Sequence, residues 1–341
     1  MTRFLLCPFD WSGTTSRRQF WLSLLVALGV VSSLVLIAMS FQVEPWVSLS
    51  VLTCLQFALW PIFVKRLHEM GRSGYWSILL VVPFLFIPVF LWLGIGRPKH
   101  QPVDAWPSKP SHRVGQTLLL LLVCVSLSRA YWAPYWIPAG SMKPALLVGD
   151  YLIVSHYGKT QIPQPGDVLV FRHPVHGTAF IKRLIGLPGD EVQISNGKVS
   201  INGIWADYSA RPPFEEPMAP TWASGQYPRC QNAPVETGNV CVKSRWLETL
   251  PSGKAYPVLD IADQTLDHTG TFQVPNGHYF FLGDNRDNSS DSRISQSAGG
   301  MGFVPRDALI GRAELILFSS QGPQLLSFSQ WRPGRFLVPV N

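Results

Sequence analysis

Apolar residues crowd the first 136 positions of this chain. Three stretches, about 20 to 41 (QFWLSLLVALGVVSSLVLIAMS), about 47 to 64 (WVSLSVLTCLQFALWPIF) and about 76 to 95 (WSILLVVPFLFIPVFLWLGI), stand out. Each is near the ~20 residues a helix needs to cross a hydrocarbon layer. A fourth, about 114 to 128 (VGQTLLLLLVCVSLS), is interrupted by Arg129 and continues into AYWAPYWIP. There Tyr131, Trp132, Tyr135 and Trp136 suit an interfacial aromatic belt, to which Arg129 can snorkel. Beyond position 136 the pattern changes to short alternating segments: YLIVS, DVLVFR, TAFIKRLIGL, VQISNGKVSING, GHYFFLGD and ALIGRAELILFS. Their β-branched and aromatic content, with Pro-Gly, Asn-Gly and Gly-Asp between them, predicts a mostly β half. Between about 204 and 270 the alternation loosens into Pro, Gly and polar residues, which reads as a long insertion with a few strands of its own.

Composition supports the division. Of 341 residues, 47% are hydrophobic and 14% are Asp, Glu, Lys or Arg, against about 25% charged in an average soluble domain. Part of the chain is therefore expected in lipid. The net charge of +7 comes without a Lys/Arg-rich run of the kind that tracks phosphates, so nucleic acid is not an expected partner. Many of the cations instead flank apolar stretches, where they set topology. Arg3, Arg17 and Arg18 precede the first stretch, Lys65, Arg66 and Arg72 follow the second, and Arg97, Lys99, Lys109 and Arg113 follow the third. The first connecting loop carries Glu44 and no cation. All three basic segments then belong on one side, which a single crossing by the third stretch forbids. Pro83 and Pro88 offer a re-entrant hairpin as the solution, giving three crossings, while the alternative is four crossings with the N-terminus outside. Both place residues 137 to 341 on the far side. The first apolar run is too long for a cleaved leader's core, and further runs follow it.

Five cysteines are distributed unevenly. Cys7, Cys54 and Cys124 lie near the N-terminus or within apolar runs, leaving Cys230 and Cys241 in the polar half. That pair is a candidate disulfide if the half is exported to an oxidising compartment; the plainer reading is two unpaired thiols. No second Cys or His pair stands at ligand spacing, so no metal is expected.

Candidate chemistry begins five residues past Trp136, at Ser141 in IPAGSMKPALLVGD. Five extended residues reach about 16 to 18 Å, so Ser141 is expected close to the membrane surface. A lone serine in a Gly/Pro segment is ordinarily a turn residue, but TAFIKRLIGLPGD changes its standing. Strand alternation sends Lys182 to one face and Arg183 to the other, so one of the two is expected to be buried. Lys is the better candidate, since burial lowers a lysine pKa whereas Arg stays charged. A base working near neutral pH needs a shift of roughly two to three units from ~10.4. Once neutral, the amine can take the proton of a serine hydroxyl without His or Asp. The plainer reading is a lysine snorkelling from an edge strand. Eight histidines are present, among them His173, His176 and His268, but none lies in a nucleophile-elbow or HExxH context. A third segment, FFLGDNRDNSSDSR at 280 to 293, is too dense in short polar residues for a core strand. It reads as an Asx-rich turn, or as a loop that props up a site.

PAGSMKPAL, GDVLVFRHP, FIKRLIGLPGD and GDNRDNSSDSR, in this order and followed by GFVPRDALIGRA, resemble the successive boxes of the bacterial type I signal peptidases over about 130 to 318. The resemblance implies a β-rich Ser-Lys peptidase fold with Ser141 as nucleophile, Lys182 as general base and no cofactor. It places Ser289 on the hydroxyl that orients the lysine amine, Asp291 and Arg293 on a structural ion pair, and Gly283 on a close backbone approach beside the base. One position departs from it. Many members carry Ser two residues before the nucleophile, contributing to the oxyanion hole beside the nucleophile's own N–H, and here Ala139 stands there. Upstream, RRQFW and VKRLHEMGRSGYW resemble a small bacterial inner-membrane family, domain-of-unknown-function 805; RLHEMGRSGYW is read as a cytoplasmic loop.

The expected fold class is an α-helical membrane domain of three to four spans followed by a mostly β exported domain of the Ser-Lys signal peptidase type. Residues 1–100 form the multi-span domain, 101–113 a cytoplasmic linker, 114–136 a membrane anchor helix, 137–320 the catalytic domain and 321–341 a tail. The resemblance implies a bacterial inner-membrane enzyme, catalytic on the extracytoplasmic side. It would cleave signal-peptide-bearing preproteins after small residues, with the lipid bilayer and the protein export machinery as partners. Two alternatives are a self-cleaving repressor-type Ser-Lys protease, against which the spans argue, and a membrane scaffold with a degenerate peptidase half.

Overall fold

The computed structural model describes residues 14–40, 60–72, 76–77, 86–98, 124, 128, 131–156, 162–323 and 327–340. The chain divides into two units, Met1–Tyr131 and Trp132–Asn341.

The described part of the first unit includes the α-helices α1 (Arg17–Ser40), α2 (Trp60–Glu69) and α3 (Phe86–Ile95). Phe20, Ile62, Phe63, Leu67, Met70 and Leu93 pack between them. Arg66 is fully buried there. Its guanidinium donates to the carbonyls of Leu93 (2.9 Å) and Gly96 (2.6 Å) beyond the last turn of α3 and to Glu69 (2.8 Å), satisfying carbonyls that the end of a helix leaves unpaired.

The expected spans are corrected here. Among the described residues no helix is long and apolar enough to cross a membrane. α2 and α3 have ten residues each, or about 15 Å at 1.5 Å per residue, half the ~30 Å of a hydrocarbon core. α1 opens on Arg17, Arg18 and Gln19, and Ser23, Ser32 and Ser33 interrupt its apolar run. Most of the stretches at 47 to 64 and 114 to 128, residues 78–85 of the third stretch, the linker 101–113, Cys7 and Cys54 lie outside the described residues. Arg66 to Glu69, read as loop, form the last turn of α2. The end of the expected anchor helix is strand β1 (Trp132–Trp136), antiparallel to β2 (Asp150–His156). Pro134 explains why: it lacks the N–H a helix interior requires but is tolerated on an edge strand.

The described part of the second unit is built from β-sheets, with short 3-10 turns between strands. Its main sheet has the order β1-β2-β14-β3-β4-β12-β13, with β15 also on β14. The strands are β3 (Val168–Arg172), β4 (Ala179–Gly186), β12 (His278–Leu282), β13 (Val304–Pro305), β14 (Leu309–Ser319) and β15 (Val338–Pro339). Each alternating segment of the sequence becomes a strand here. In VQISNGKVSING, Asn196 and Gly197 turn with φ of 50° and 71°, the left-handed pair a two-residue hairpin requires, between β5 (Glu191–Ser195) and β6 (Lys198–Ile201). These pair with β7 (Ile204–Trp205) and β11 (Phe272–Gln273) in a second sheet. Within the looser 204–270 segment, β8 (Asp207–Pro217), β9 (Val240–Thr249) and β10 (Ala255–Asp260) form a third. A disulfide joins Cys230 to Cys241 there.

Alternation along β3 divides the core. Val168 and Val170 pack with Ile137, Met142, Leu146 and Leu152, whereas Leu169 and Phe171 pack with Leu184, Phe281 and Met301. The first cluster anchors the segment carrying Ser141 through Met142 and Leu146.

Candidate active site

Ser141 opens the turn that follows β1. Two bonds brace the base of this loop, from Ile137 N–H to Asp150 O (2.9 Å) and from Gly149 N–H to Ile137 O (2.8 Å). From the expected tail, Arg335 reaches across to Asp150 (2.5 Å) and donates to Ala145 O (2.9 Å). Arg335 of the expected tail therefore braces the serine loop, a role with no signal in the sequence around it.

Lys182 lies on β4 opposite Leu169 and is 3% exposed. Its amine donates a hydrogen bond to Ser141 Oγ. Burial pushes its pKa down to about 8, against the opposing pull of Asp291 and Asp284, because a dry setting disfavours the ammonium form. The pair thus combines a hydroxyl with an amine that can lose its proton near neutral pH.

Both cations of the Lys-Arg pair are buried, whereas the sequence reading buried one. Arg183 is fully buried, its guanidinium bidentate on Asp284 at 2.7 Å for each contact and 3.8 Å from the Tyr256 ring centroid. A guanidinium so matched by a carboxylate and an aromatic face stays charged inside. Asp284 lies 101 residues along the chain, which is why alternation alone misses it.

The polar loop after β12 packs against Ser141. A Cβ added at Gly283 would sit 2.2 Å from Ser289 Oγ and 2.7 Å from Ser141 O, so the chain passes there only without a side chain. Asp291 holds Arg293 with bonds of 2.8 and 2.9 Å and accepts the Gly283 N–H at 3.1 Å. Burial raises the Asp291 pKa, but the Arg293 charge and these hydrogen bonds outweigh it and hold the carboxyl below its usual range. Ser289 stands beside Gly283, yet its buried hydroxyl has no hydrogen-bond partner among the described residues; the lysine amine bonds Ser141.

Sequence reasoning missed a layer behind this loop. Arg286 donates to Glu248 at 2.6 Å, and Glu248 also accepts from Tyr256 (2.5 Å) and from Tyr208. On another side Glu216 receives Lys243 (2.7 Å) and Lys143, two residues past the serine. Glu216, Lys243, Glu248, Tyr208 and Tyr256 all belong to β8, β9 and β10, so the inserted sheet buttresses the site. An arginine in a polar loop announces a need for a partner, but nothing local identifies it.

Among the described residues no histidine is hydrogen-bonded to Ser141 Oγ, whose partner is Lys182. His173 Nδ1 accepts the N–H groups of Val175 (3.2 Å) and His176 (3.3 Å), and exposed His268 pairs with Asp263 at 2.6 Å. Ala139 is exposed on the bend before Ser141. Asp260, Asp267 and Asp287 gather their carboxylates within 4.8 Å of one another.

Residues 111–318 match the family described as Signal peptidase, peptidase S26, and residues 8–131 match a protein family of unknown function, DUF805. Signal peptidase I of Rickettsia typhi is 34% identical over 217 residues, 55% of this chain and 72% of that protein. Signal peptidase I of Rickettsia canadensis is 33% identical, covering 59% and 77%. A crystal structure of a signal peptidase I from Enterococcus faecalis V583 aligns over 45% of this chain and 97% of its own, at 24% identity and a TM-score of 0.24.

Proposed function

Because this chain belongs to the signal peptidase family, peptidase S26, and is by that membership a serine peptidase, we propose that Ser141 is its nucleophile and Lys182 the base that activates it. The observation carrying this assignment is the hydrogen bond between the buried Lys182 amine and Ser141 Oγ. Neutral Lys182 takes the hydroxyl proton as Oγ attacks the scissile carbonyl. The resulting ammonium returns that proton to the leaving amine, and an acyl-enzyme forms on Ser141. The same amine then deprotonates the water that hydrolyses the ester. Gly283 admits the close packing of the polar loop, and Asp291 with Arg293 keeps that loop rigid. Neither a metal nor an organic cofactor enters this scheme.

The substrates we assign are preproteins cut after small residues, on the extracytoplasmic side of a bacterial inner membrane, at the lipid surface and beside the export machinery. The Cys230–Cys241 disulfide favours an oxidising compartment. Exposed Tyr131, Trp132 and Trp136 suit a headgroup layer. The test is processing of a purified preprotein by the full chain in detergent. Ser141→Ala and Lys182→Ala should each abolish cleavage, and wild-type processing by either would overturn the assignment.

A further inference from the structure

Asn285 belongs to the polar loop that packs against Ser141. It is fully buried and touches the serine segment twice. Its side-chain Nδ2 donates to Gly140 O at 2.9 Å, and its backbone N–H donates to Ser141 O at 3.0 Å. Gly140 O also accepts the Lys143 N–H at 3.2 Å. Asn285 is itself held, since Leu259 N–H donates to Asp284 O (2.8 Å), Asn288 N–H to Asn285 O (2.9 Å), and Leu259 bridges to Asn285.

Planarity turns these contacts into a functional statement. Gly140 C=O and Ser141 N–H belong to one peptide unit, and in a trans peptide they point in opposite directions. Fixing the carbonyl with two donors therefore fixes the direction of the N–H. That N–H makes no hydrogen bond among the described residues, leaving it available to an oxygen brought next to Ser141 Oγ. Its aim matters more in this chain than where a second hydroxyl assists, because Ala139 offers none.

We propose that Asn285 is a positioning residue for the oxyanion hole, locking the Gly140–Ser141 peptide plane so that the Ser141 N–H faces the developing oxyanion. This rests on Ser141 being the nucleophile. The oxyanion gains charge only in the transition state, so mispositioning its donor should lower kcat and leave substrate binding nearly unchanged. The amide orientation is unambiguous, since exchanging Nδ2 and Oδ1 would set two acceptors against each other at Gly140 O.

The experiment compares wild type with Asn285→Leu, which removes the donor at similar volume, and with Asn285→Asp, which replaces it by a carboxylate. Cleavage is followed with a signal-sequence peptide, and inhibition with the matching peptide aldehyde, whose hemiacetal oxygen occupies the oxyanion position. Both variants should lose on the order of 10- to 100-fold in kcat with KM within about threefold. The aldehyde should weaken in parallel with kcat, whereas an uncleavable peptide amide should bind as before. Ala139→Ser, adding a hydroxyl beside the hole, should recover more activity in Asn285→Leu than it adds to wild type. Unchanged kcat and aldehyde affinity in a folded Asn285 variant, with Ser141→Ala dead, would overturn this proposal alone. Activity in Ser141→Ala would instead overturn the nucleophile assignment beneath it. If Asn285→Leu does not fold, Asn285→Asp decides by the same split between kcat and KM.

Discussion

The lysine at the heart of the site makes the sharpest prediction, because burial should move activity and stability in opposite directions. With a pKa of about 8, Lys182 is neutral in ~10% of free enzyme at pH 7 and ~90% at pH 9, against ~0.04% at pH 7 for an ordinary lysine of pKa ~10.4. The fold thus enlarges the reactive population about 250-fold. kcat/KM should rise roughly tenfold between pH 7 and pH 9 along a limb centred near pH 8. The same shift has a stability cost. Between about pH 8 and ~10.4 the unfolded chain binds more protons than the native one, so stability climbs with pH through that window; below it the buried ammonium costs up to ~3 kcal/mol. Lys182→Met should therefore abolish cleavage and raise the melting temperature at pH 7, an advantage that shrinks as pH rises from about 8 to 10. Lys182→Arg, which keeps a charge but cannot act as a base near neutrality, should also be inactive. The assays are initial rates on a signal-sequence peptide from pH 6 to 10 and thermal unfolding across the same range. A flat profile between pH 7 and 9, a limb near 10.4, or turnover by Lys182→Arg would refute the reasoning.

Three further outcomes follow from named contacts. Gly283→Ala should lower turnover at least tenfold and destabilise the protein by about 1–3 kcal/mol, since its Cβ meets Ser289 and Ser141 backbone inside 2.8 Å; unchanged turnover and melting temperature would contradict the close approach. Replacing Cys230 and Cys241 together by Ser should cost about 2–3 kcal/mol by freeing a loop of about ten residues in the unfolded chain, measured by denaturant unfolding with and without reductant. Asp260 has its pKa raised to about 7, by burial first and then by the hydrogen bond and charge of Asp287. The native state then holds more protons than the unfolded chain between about pH 4 and 7, so stability falls as pH rises through that range. Asp260→Asn should stabilise by about 1 kcal/mol at pH 8, a value reduced for partial exposure, and by nothing at pH 4; equal effects at both would remove the carboxylate cluster as the cause.

Much of the second unit was readable along the chain. Strand segments such as DVLVFR and ALIGRAELILFS declare themselves through alternation, and the Asn196–Gly197 hairpin through its turn residues, because these preferences act between neighbours. The Asp291–Arg293 pair was one that the family resemblance, rather than the local pattern, implied. The partners of the other buried charges were not readable. Arg183 finds Asp284 across 101 residues, Arg286 finds Glu248 across 38 and Arg335 finds Asp150 across 185. Each pairing is created by strand order, which brings distant segments side by side and removes their charges from water together. The same distinction explains the first unit. A run of apolar residues measures only local preference for lipid, whereas helix length depends on where turns and tertiary contacts interrupt it; α2 ends within two residues of the turn at Met70 and Gly71. The alternation of β4 could tell that Lys182 and Arg183 part to opposite faces. That one faces a serine hydroxyl and the other a carboxylate came from the folding of segments far apart in the chain.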